Sequence, residues 1–538
     1  MRNAAAFLLR AVLAVIAAAI TTVAAAAVDP ELLRQLAFGE SEDKLKAIAV
    51  LANGDAEALA LLQALRDGEV QTVGESRVLL VKDDAATDLA TGERVTPVPD
   101  NRDDIVINNR VRKGLETAIA AMMVSDPDRA VRLAAAKQLQ DGADETALPA
   151  IERALGKETD PEVKDLLVLT RASIQLASSN KATRLAAIRA LAESGNPATK
   201  TLLLGILERR GDTYVEPDTE VRAEADKSLR AVDRRLATAE MIGRIFSGVS
   251  LGSILLLAAL GLAITYGLMG VINMAHGELI MIGAYATYVV QNLVRSYAPG
   301  AFDAYLAFAV PAAFLAAGAV GMILERSVIR FLYGRPLETL LATWGISLIL
   351  IQAVRTVFGA QNVQVENPSW MSGGFVALTS VVLPWSRIVI IVFAAIVLLA
   401  MWLLLTRTRL GLFVRAVTQN RAMASCNGVP TRRVDTLAFG LGSGLAGLAG
   451  CALSQIGNVG PDLGQSYIVD SFMVVVLGGV GQLAGTAYAA LGLGIVDKFL
   501  EAWSGAVLAK IAVLVFIIIF IQKRPQGLFA LKGRTVEA

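Results

Sequence analysis

Histidine and cysteine are nearly missing from this chain: one histidine and two cysteines in 538 residues. Cys426 and Cys451 have no CxxC neighbour, so neither a disulfide framework nor a thiolate metal site is implied. Neither an HExxH pattern nor a catalytic triad is present. GxxxxGK[ST] does not occur either, so any ATP-driven step belongs to another polypeptide. Charge is sparse, with 18% Asp, Glu, Lys and Arg against about 25% in soluble domains. The formal net charge of +1 gives no hint of nucleic acid or another polyanion.

Apolar residues are abundant: 54% of the chain is hydrophobic and the mean hydropathy is +0.54. Most acidic residues fall before residue 240, and long apolar segments broken by arginines lie beyond it. Two unlike parts are therefore expected. Residues 1–27 combine Arg2 and Arg10, an apolar run and small residues ending near Ala27, the pattern of a cleaved secretory signal. An uncleaved anchor helix is the alternative; in both cases the segment after Asp29 is exported.

Residues 28–240 read as helical repeats. Residues 41–66 suggest two short amphipathic helices around "NGD". Related stretches start at Asp126, Asp160, Asn180 and Asp218, where Asp or Asn suits an N-cap and Pro the first helical position. The uneven spacing makes the repeat degenerate, similar to HEAT-type repeats that stack into a solenoid. "SRVLLVKDDAATDLATGERVTPV" and "DDIVIN" alternate and carry turn residues, suggesting a small β insertion. No cluster here suggests chemistry; the domain is either a spacer or a docking surface for an exported partner.

Residues 241–538 carry long apolar stretches near 247–270, 279–294, 304–324, 337–358, 386–406, 435–456, 466–500 and 506–522, each read against the roughly 20 residues needed to cross a bilayer. The loop 407–433 has six arginines and no acidic residue, which places it on the cytoplasmic side. The basic C-terminal "QKRPQGLFALKGR" is likewise expected inside, and counting five crossings back from 407 puts the N-terminal domain outside. The glycine-rich stretch 466–500 supplies two crossings or a re-entrant pair, for nine or seven spans, with nine preferred.

Two Gly-interrupted apolar segments stand out, "TYGLMGVINMAHGE" (265–278) and "VVVLGGVGQLAGTAYAALGLG" (474–494). Broken helices at matching places in two halves point to a transport site, since they present free backbone groups to a small polar solute. The first holds Asn273, His276 and Glu278. His276 has no second ligand for a metal and no partner for catalysis. It sits at a helix break, where it fixes the bend, lines a pathway, or both. Glu278, ionisable within a membrane segment, is a functional candidate by default. Gln455 and Asn458 are further polar contacts for a solute, with helix-end hydrogen bonding as the plainer reading. The arginine-rich loop holds a short amphipathic helix ending at Gly428, suited to docking on a cytoplasmic partner.

From about 245 to 533 the motifs "GLxxxYGxxGxINMAHGE", "RAVTQNRAMASCNGV" and "VVVLGGVGQLAGT" resemble permease subunits of branched-chain amino acid (LivH-like) ABC importers. "ALSQIGNVGPDLGQSYIVDSFMVVVLGGVGQLAGT" and "FIQKRPQGLFALKGR" look closer to the urea (UrtB-type) permeases of that family. The resemblance implies an all-α fold: a polytopic membrane permease of about seven to nine spans with glycine-rich broken helices, preceded by the exported HEAT-like domain and its β insertion. It implies a second permease resembling LivM, two cytoplasmic ABC ATPases that use the ATP, an extracytoplasmic urea-binding protein, surrounding membrane lipid, and no cofactor or metal in this chain. It places Asn273, His276 and Glu278 on the family's first polar motif and Gly478, Gly479, Gly481 and Gly485 on its second. Arg415, Ala416, Arg421 and Gly428 fall on the ATPase-coupling segment. The expectation is a urea importer subunit in the bacterial inner membrane, not an enzyme. A branched-chain amino acid or short-amide permease and a passive urea channel are the alternatives; the coupling loop argues against the channel. An intramembrane enzyme acting through His276 and Glu278 and a membrane-anchored sensor fit less well.

Overall fold

The computed structural model describes residues 29–529 apart from 75, 76, 83, 84, 100, 195, 212, 379 and 380. The expected signal segment 1–27 and the end of the basic C-terminus lie outside these residues. Contacts divide the chain into two compact units, with the boundary after Ala237.

The first unit begins with α1 (Pro30–Phe38), α2 (Ser41–Leu51) and α3 (Ala56–Arg66), the last two flanking "NGD" as the sequence suggests. Next comes a five-stranded antiparallel sheet, β1 (Val70–Val73), β2 (Arg77–Lys82), β3 (Ala85–Asp88), β4 (Arg94–Val95) and β5 (Arg102–Asp104), in the order β4-β3-β2-β1-β5. The last strand falls on Arg102–Asp104 rather than on "IVIN", because those three residues pair with Val73–Gln71. Beyond it run α4 (Asn109–Met123), α5 (Arg129–Gly142), α6 (Leu148–Leu155), α7 (Pro161–Leu176), α8 (Lys181–Glu193) and α9 (Ala198–Leu207), then a two-stranded hairpin of β6 (Arg209–Arg210) and β7 (Thr213–Tyr214).

Its apolar core comes in three successive pieces along the chain, one around Leu62 and Leu115, one around Leu139 and Ile151, one around Ile188 and Leu191. Such serial packing is what stacked helix pairs produce. One local device recurs three times. Arg132 Nη1 donates to the carbonyls of Asp126 and Pro127 at 3.0 and 2.9 Å. Arg184 does the same to Ser178 and Ser179, and Arg222 to Glu216 and Pro217. Each arginine stands four residues after the capping side chain of its helix, Asp128, Asn180 or Asp218. The sequence misplaced one cap. Asp126 accepts from the Asp128 N–H, and Asp128 caps α5, so Pro127 precedes the cap; in α7, Asp160 caps and Pro161 opens the helix.

The second unit starts within α10 (Thr219–Met269), whose apolar end leads to α11 (His276–Tyr297), α12 (Tyr305–Ser327), α13 (Pro336–Phe358), a hairpin of β8 (Gly374–Leu378) and β9 (Val381–Pro384), and α14 (Trp385–Arg407). Two short helices come next, α15 (Arg409–Gln419) and α16 (Arg421–Cys426), then α17 (Thr431–Ser454), α18 (Leu463–Gly478), α19 (Leu483–Ser504) and α20 (Ala506–Lys523). Seven of these helices are long and apolar enough to cross a membrane. The other two in the expected count of nine are α11 and α18. α11 buries His276, Glu278, Thr287 and Gln291, so its composition is less apolar than that of a lipid-facing helix. α18 has 16 residues, about 24 Å of helix against ~30 Å of hydrocarbon.

α17 is the centre of this unit, buried along almost its whole length from Val434 to Ser454. Its glycines explain how three helices crowd it. A Cβ on Gly442 would lie 2.7 Å from the Gly261 carbonyl of α10, and one on Gly444 would lie 2.6 Å from the Phe314 ring of α12. A Cβ on Gly450 would collide with the Ile280 carbonyl of α11.

Candidate functional site

The first polar motif is a helix break. α10 stops at Met269, and Gly270 turns the chain with φ +64°. The chain then runs without regular structure until α11 starts at His276. Asn273 organises the restart: its Oδ1 accepts from the Ala275 N–H at 3.1 Å and its carbonyl from the His276 N–H at 3.3 Å. Its side-chain nitrogen has no partner among the described residues.

His276 is completely buried and lies 2.9 Å, through Nε2, from the Ala258 carbonyl of α10. A carbonyl only accepts, so Nε2 carries the proton and Nδ1 is a bare acceptor. That Nδ1 also lacks a partner. The imidazole clamps α11 to α10 across the break, where Gly261 makes room: a Cβ there would lie 2.9 Å from the ring's Cε1.

Glu278 turns the other way, toward α13. Ser347 Oγ donates to its Oε1 at 2.6 Å, while Oε2 is unpaired. Thr343 Oγ1 accepts from the Met274 N–H at 3.2 Å. Two turns beyond Glu278 on α11, the Tyr285 ring sits 4.6 Å from that of Phe358, and its hydroxyl is also unpaired. The contacts advance together along both helices, so α11 and α13 run parallel with a polar seam between them. Sequence reasoning missed the α13 side of this seam. Thr339, Thr343 and Ser347, all buried, recur every four residues, which stripes one face of a helix; that spacing was there to be read.

The structure brings the two glycine segments together. α18 ends at Gly478, and Gly479 and Gly481 turn the chain at φ +100° and +82°. A Cβ on Gly478 would lie 2.6 Å from the Gly485 backbone, closing this turn on itself. A Cβ on Gly267, three residues before Gly270, would lie 2.5 Å from Gly481 Cα, so the two breaks touch.

Gln455 and Asn458 sit apart from this arrangement in their bonding. Gln455, at the end of α17, accepts from the Tyr305 hydroxyl at 3.1 Å and donates to Ser454 at 3.1 Å. Asn458 is exposed on the loop after that helix.

The arginine-rich loop holds two helices rather than one, because Asn420 ends α15 and caps α16 through the Met423 N–H at 2.9 Å. Arg415 is exposed, Ala416 half-buried, and Gly428 is exposed at φ +79° just beyond α16. Arg421 forms an ion pair with Asp435 of α17, whose side chain is 1% exposed. The Arg421 guanidinium also lies 5.0 Å from the centre of the Tyr333 ring. The Tyr333 hydroxyl donates to Glu325 Oε1 at 3.1 Å and Thr436 to Glu325 Oε2 at 2.6 Å, which carries the network into α12. Among the described residues no group of three or more His, Cys, Asp or Glu side chains could hold a metal ion.

Broken helices, a buried polar seam and glycine-mediated helix contacts define a multi-pass membrane protein built for passage rather than bond-making. The comparisons make the class specific. The sequence pattern of the branched-chain amino acid transport system permease component family matches residues 244–522, and the chain belongs to that family. BraD, a high-affinity branched-chain amino acid transport permease of Pseudomonas aeruginosa, is 28% identical over 291 residues, 53% of this chain and 94% of its own. LivH of Escherichia coli K12 is 28% identical over 290 residues, with the same coverage. A probable LivH of Methanocaldococcus jannaschii is 25% identical over 300 residues, covering 51% of this chain and 88% of its own. No solved structure matches. The chain is a transport permease component and not an enzyme. The relatives' names favour the branched-chain amino acid alternative over the expected urea type.

Proposed function

We propose that the seam between α11 and α13 lines the solute path of an ABC importer in which this chain is one permease subunit. The carrying observation is the row of buried polar atoms without partners there: Asn273 Nδ2, Glu278 Oε2 and the Tyr285 hydroxyl. An unpaired polar group in a buried site costs about 1–3 kcal/mol, and a passing polar solute supplies the missing bonds. In this reading a second permease resembling LivM completes the path, and one of the two ATPases docks on 407–433 through Arg415, Ala416 and the segment to Gly428. A binding protein delivers the solute. In this reading 407–433 and the C-terminus face the cytoplasm, in line with the preference of arginine-rich loops for that side, and the N-terminal unit is exported, as a spacer or a HEAT-like docking surface.

The relatives make branched-chain amino acids the first substrate reading. Urea or a short amide is the second, favoured by one observation. Among the described residues no lysine or arginine is buried in the membrane unit; the buried acidic and histidine side chains there are His276, Glu278, Glu325 and Asp435. A solute carboxylate would find no buried cationic side chain, and a buried unpaired charge is costly. A neutral amide avoids that cost.

Glu278→Gln tests the path. The reading expects uptake to fall at least tenfold while the assembled complex still hydrolyses ATP. Unchanged uptake removes Glu278 from the path.

A further inference from the structure

Between α10, α18, α19 and α20 lies a separate cavity of about 240 Å³. Besides Ser466 and Tyr467, its polar lining is ionic: Asp470 from α18, Asp497, Lys498 and Glu501 from α19, and Lys510 from α20. At roughly 30 Å³ per water, the space suits a compact polar group. Lys510 Nζ donates to Asp470 at 3.3 Å and Lys498 Nζ to Glu501 at 2.5 Å. Asp497 has no ion-pair or hydrogen-bonding partner among the described residues. The two lysines of the cavity are its nearest cations, but Lys498 is paired with Glu501 and Lys510 with Asp470, so three carboxylates face two ammonium groups and the cavity has room for one more cation. Lys510 is 55% exposed and spends one donor on Asp470. An ammonium has three, which leaves donors for an oxyanion.

An apolar groove of about 560 Å³ adjoins this cavity, with Leu493 and Val513 lining both. It runs between α19 and α20 past Val496 to Tyr488 and Phe520. The ionic cavity lies toward the end of this helical hairpin, where Glu501 and Ala506 flank the turn at Gly505. That is the depth at which lipid headgroups meet a spanning hairpin.

We propose that cavity and groove together hold one phospholipid with a primary-amine headgroup. Its ammonium pairs with Asp497, its phosphate meets the free donors of Lys510, and an acyl chain lies along the groove. A helix of a partner subunit could cover the groove but would leave Asp497 without its cation. The assignment does not depend on which solute is carried.

The test is lipid binding to the delipidated full-length chain in detergent, read by native mass spectrometry. The probes are phosphatidylethanolamine, phosphatidylcholine, whose quaternary ammonium has no N–H donor, phosphatidylglycerol, and free leucine and urea. Wild-type protein binds phosphatidylethanolamine about tenfold or more tightly than phosphatidylcholine, the scale of a charge-assisted hydrogen bond that a quaternary ammonium cannot donate. Asp497→Asn erases that preference, and Lys510→Met weakens both zwitterionic lipids alike. Equal binding of the two lipids by wild-type protein, a comparison that needs no variant, overturns the proposal. So does a preference that survives Asp497→Asn. Asp497-dependent displacement of lipid by leucine or urea makes the cavity a solute subsite instead.

Discussion

Gly267 and Gly481 hold the two interrupted segments of the membrane unit against each other: a Cβ on Gly267 would lie 2.5 Å from Gly481 Cα and 2.8 Å from its nitrogen. The two segments are more than two hundred residues apart in sequence, yet each break is part of the other's packing. Backbone met by backbone cannot swing aside as a side chain can, so any added carbon forces the helices apart.

Gly267→Ala therefore costs about 1–3 kcal/mol, the range for overpacking a close-packed interior, and lowers uptake with it. Gly345→Ala on α13 is the control, since nothing lies within 4 Å of its Cβ position; it is neutral or slightly stabilising because alanine favours a helix more than glycine. Unfolding of both variants in detergent checks the pair.

His276→Ala removes the Nε2–H donor to the Ala258 carbonyl and empties a fully buried site. The cavity and the missing bond together cost about 2–4 kcal/mol. His276→Gln keeps a donor and loses about 1 kcal/mol, with uptake retained in part. Complete loss of uptake in a well-folded Gln variant would instead mark His276 as acting directly on the solute.

Much of the membrane architecture was legible because the hydrocarbon thickness sets the length of apolar runs. Each expected stretch from 304–324 to 435–456 became a helix within a few residues of its limits. α11 was readable only as an apolar segment around polar residues, because its polar face is buried by neighbours that sequence does not show. Of the candidate site, Asn273, His276 and Glu278 stood out in the sequence because polar residues are conspicuous in an apolar run. Thr339, Thr343 and Ser347 were missed because hydroxyls on a helix usually bond their own backbone and carry no signal. Tyr285 was missed since a tyrosine in a membrane helix is unremarkable until its hydroxyl proves unpaired. The capping error at Asp126 came from reading Asp-Pro as cap and first turn when Asp128, two residues on, has the better position.

Arg421→Ala strips the buried Asp435 carboxylate of its ion pair while the Glu325–Thr436 bond beside it stays in place. Arg421 is 44% exposed, so solvent screening limits the cost to about 1–3 kcal/mol. Arg421→Lys restores charge but not the two-pronged geometry and falls between. In the assembled importer, transport per ATP drops further in the Ala variant than in the Lys variant. Equal coupling ratios in both would detach this ion pair from the coupling step.

In the first unit, the Arg132 guanidinium beside Glu158 holds that carboxyl below its ordinary value of 4.5. A depressed acid contributes stability above its unfolded value and loses it as pH falls. The contribution of this pair is therefore complete near neutrality and fades as pH falls below about 4.5. Arg132→Met flattens that decline. Hydrogen exchange of α5 and α7 amides between pH 7 and pH 4 reads it; an unchanged pH dependence in the variant would exclude the pair as its cause.

Energised uptake of labelled leucine and labelled urea at low concentration, in cells with and without this gene, tests the central claim most directly. The account predicts gene-dependent, ATP-dependent accumulation of one of them, abolished when the docking surface of 407–433 is removed. Competition by the other amino acids of the branched-chain class selects leucine; indifference to them selects urea. Accumulation of neither, or flux of either that persists without ATP, would contradict it.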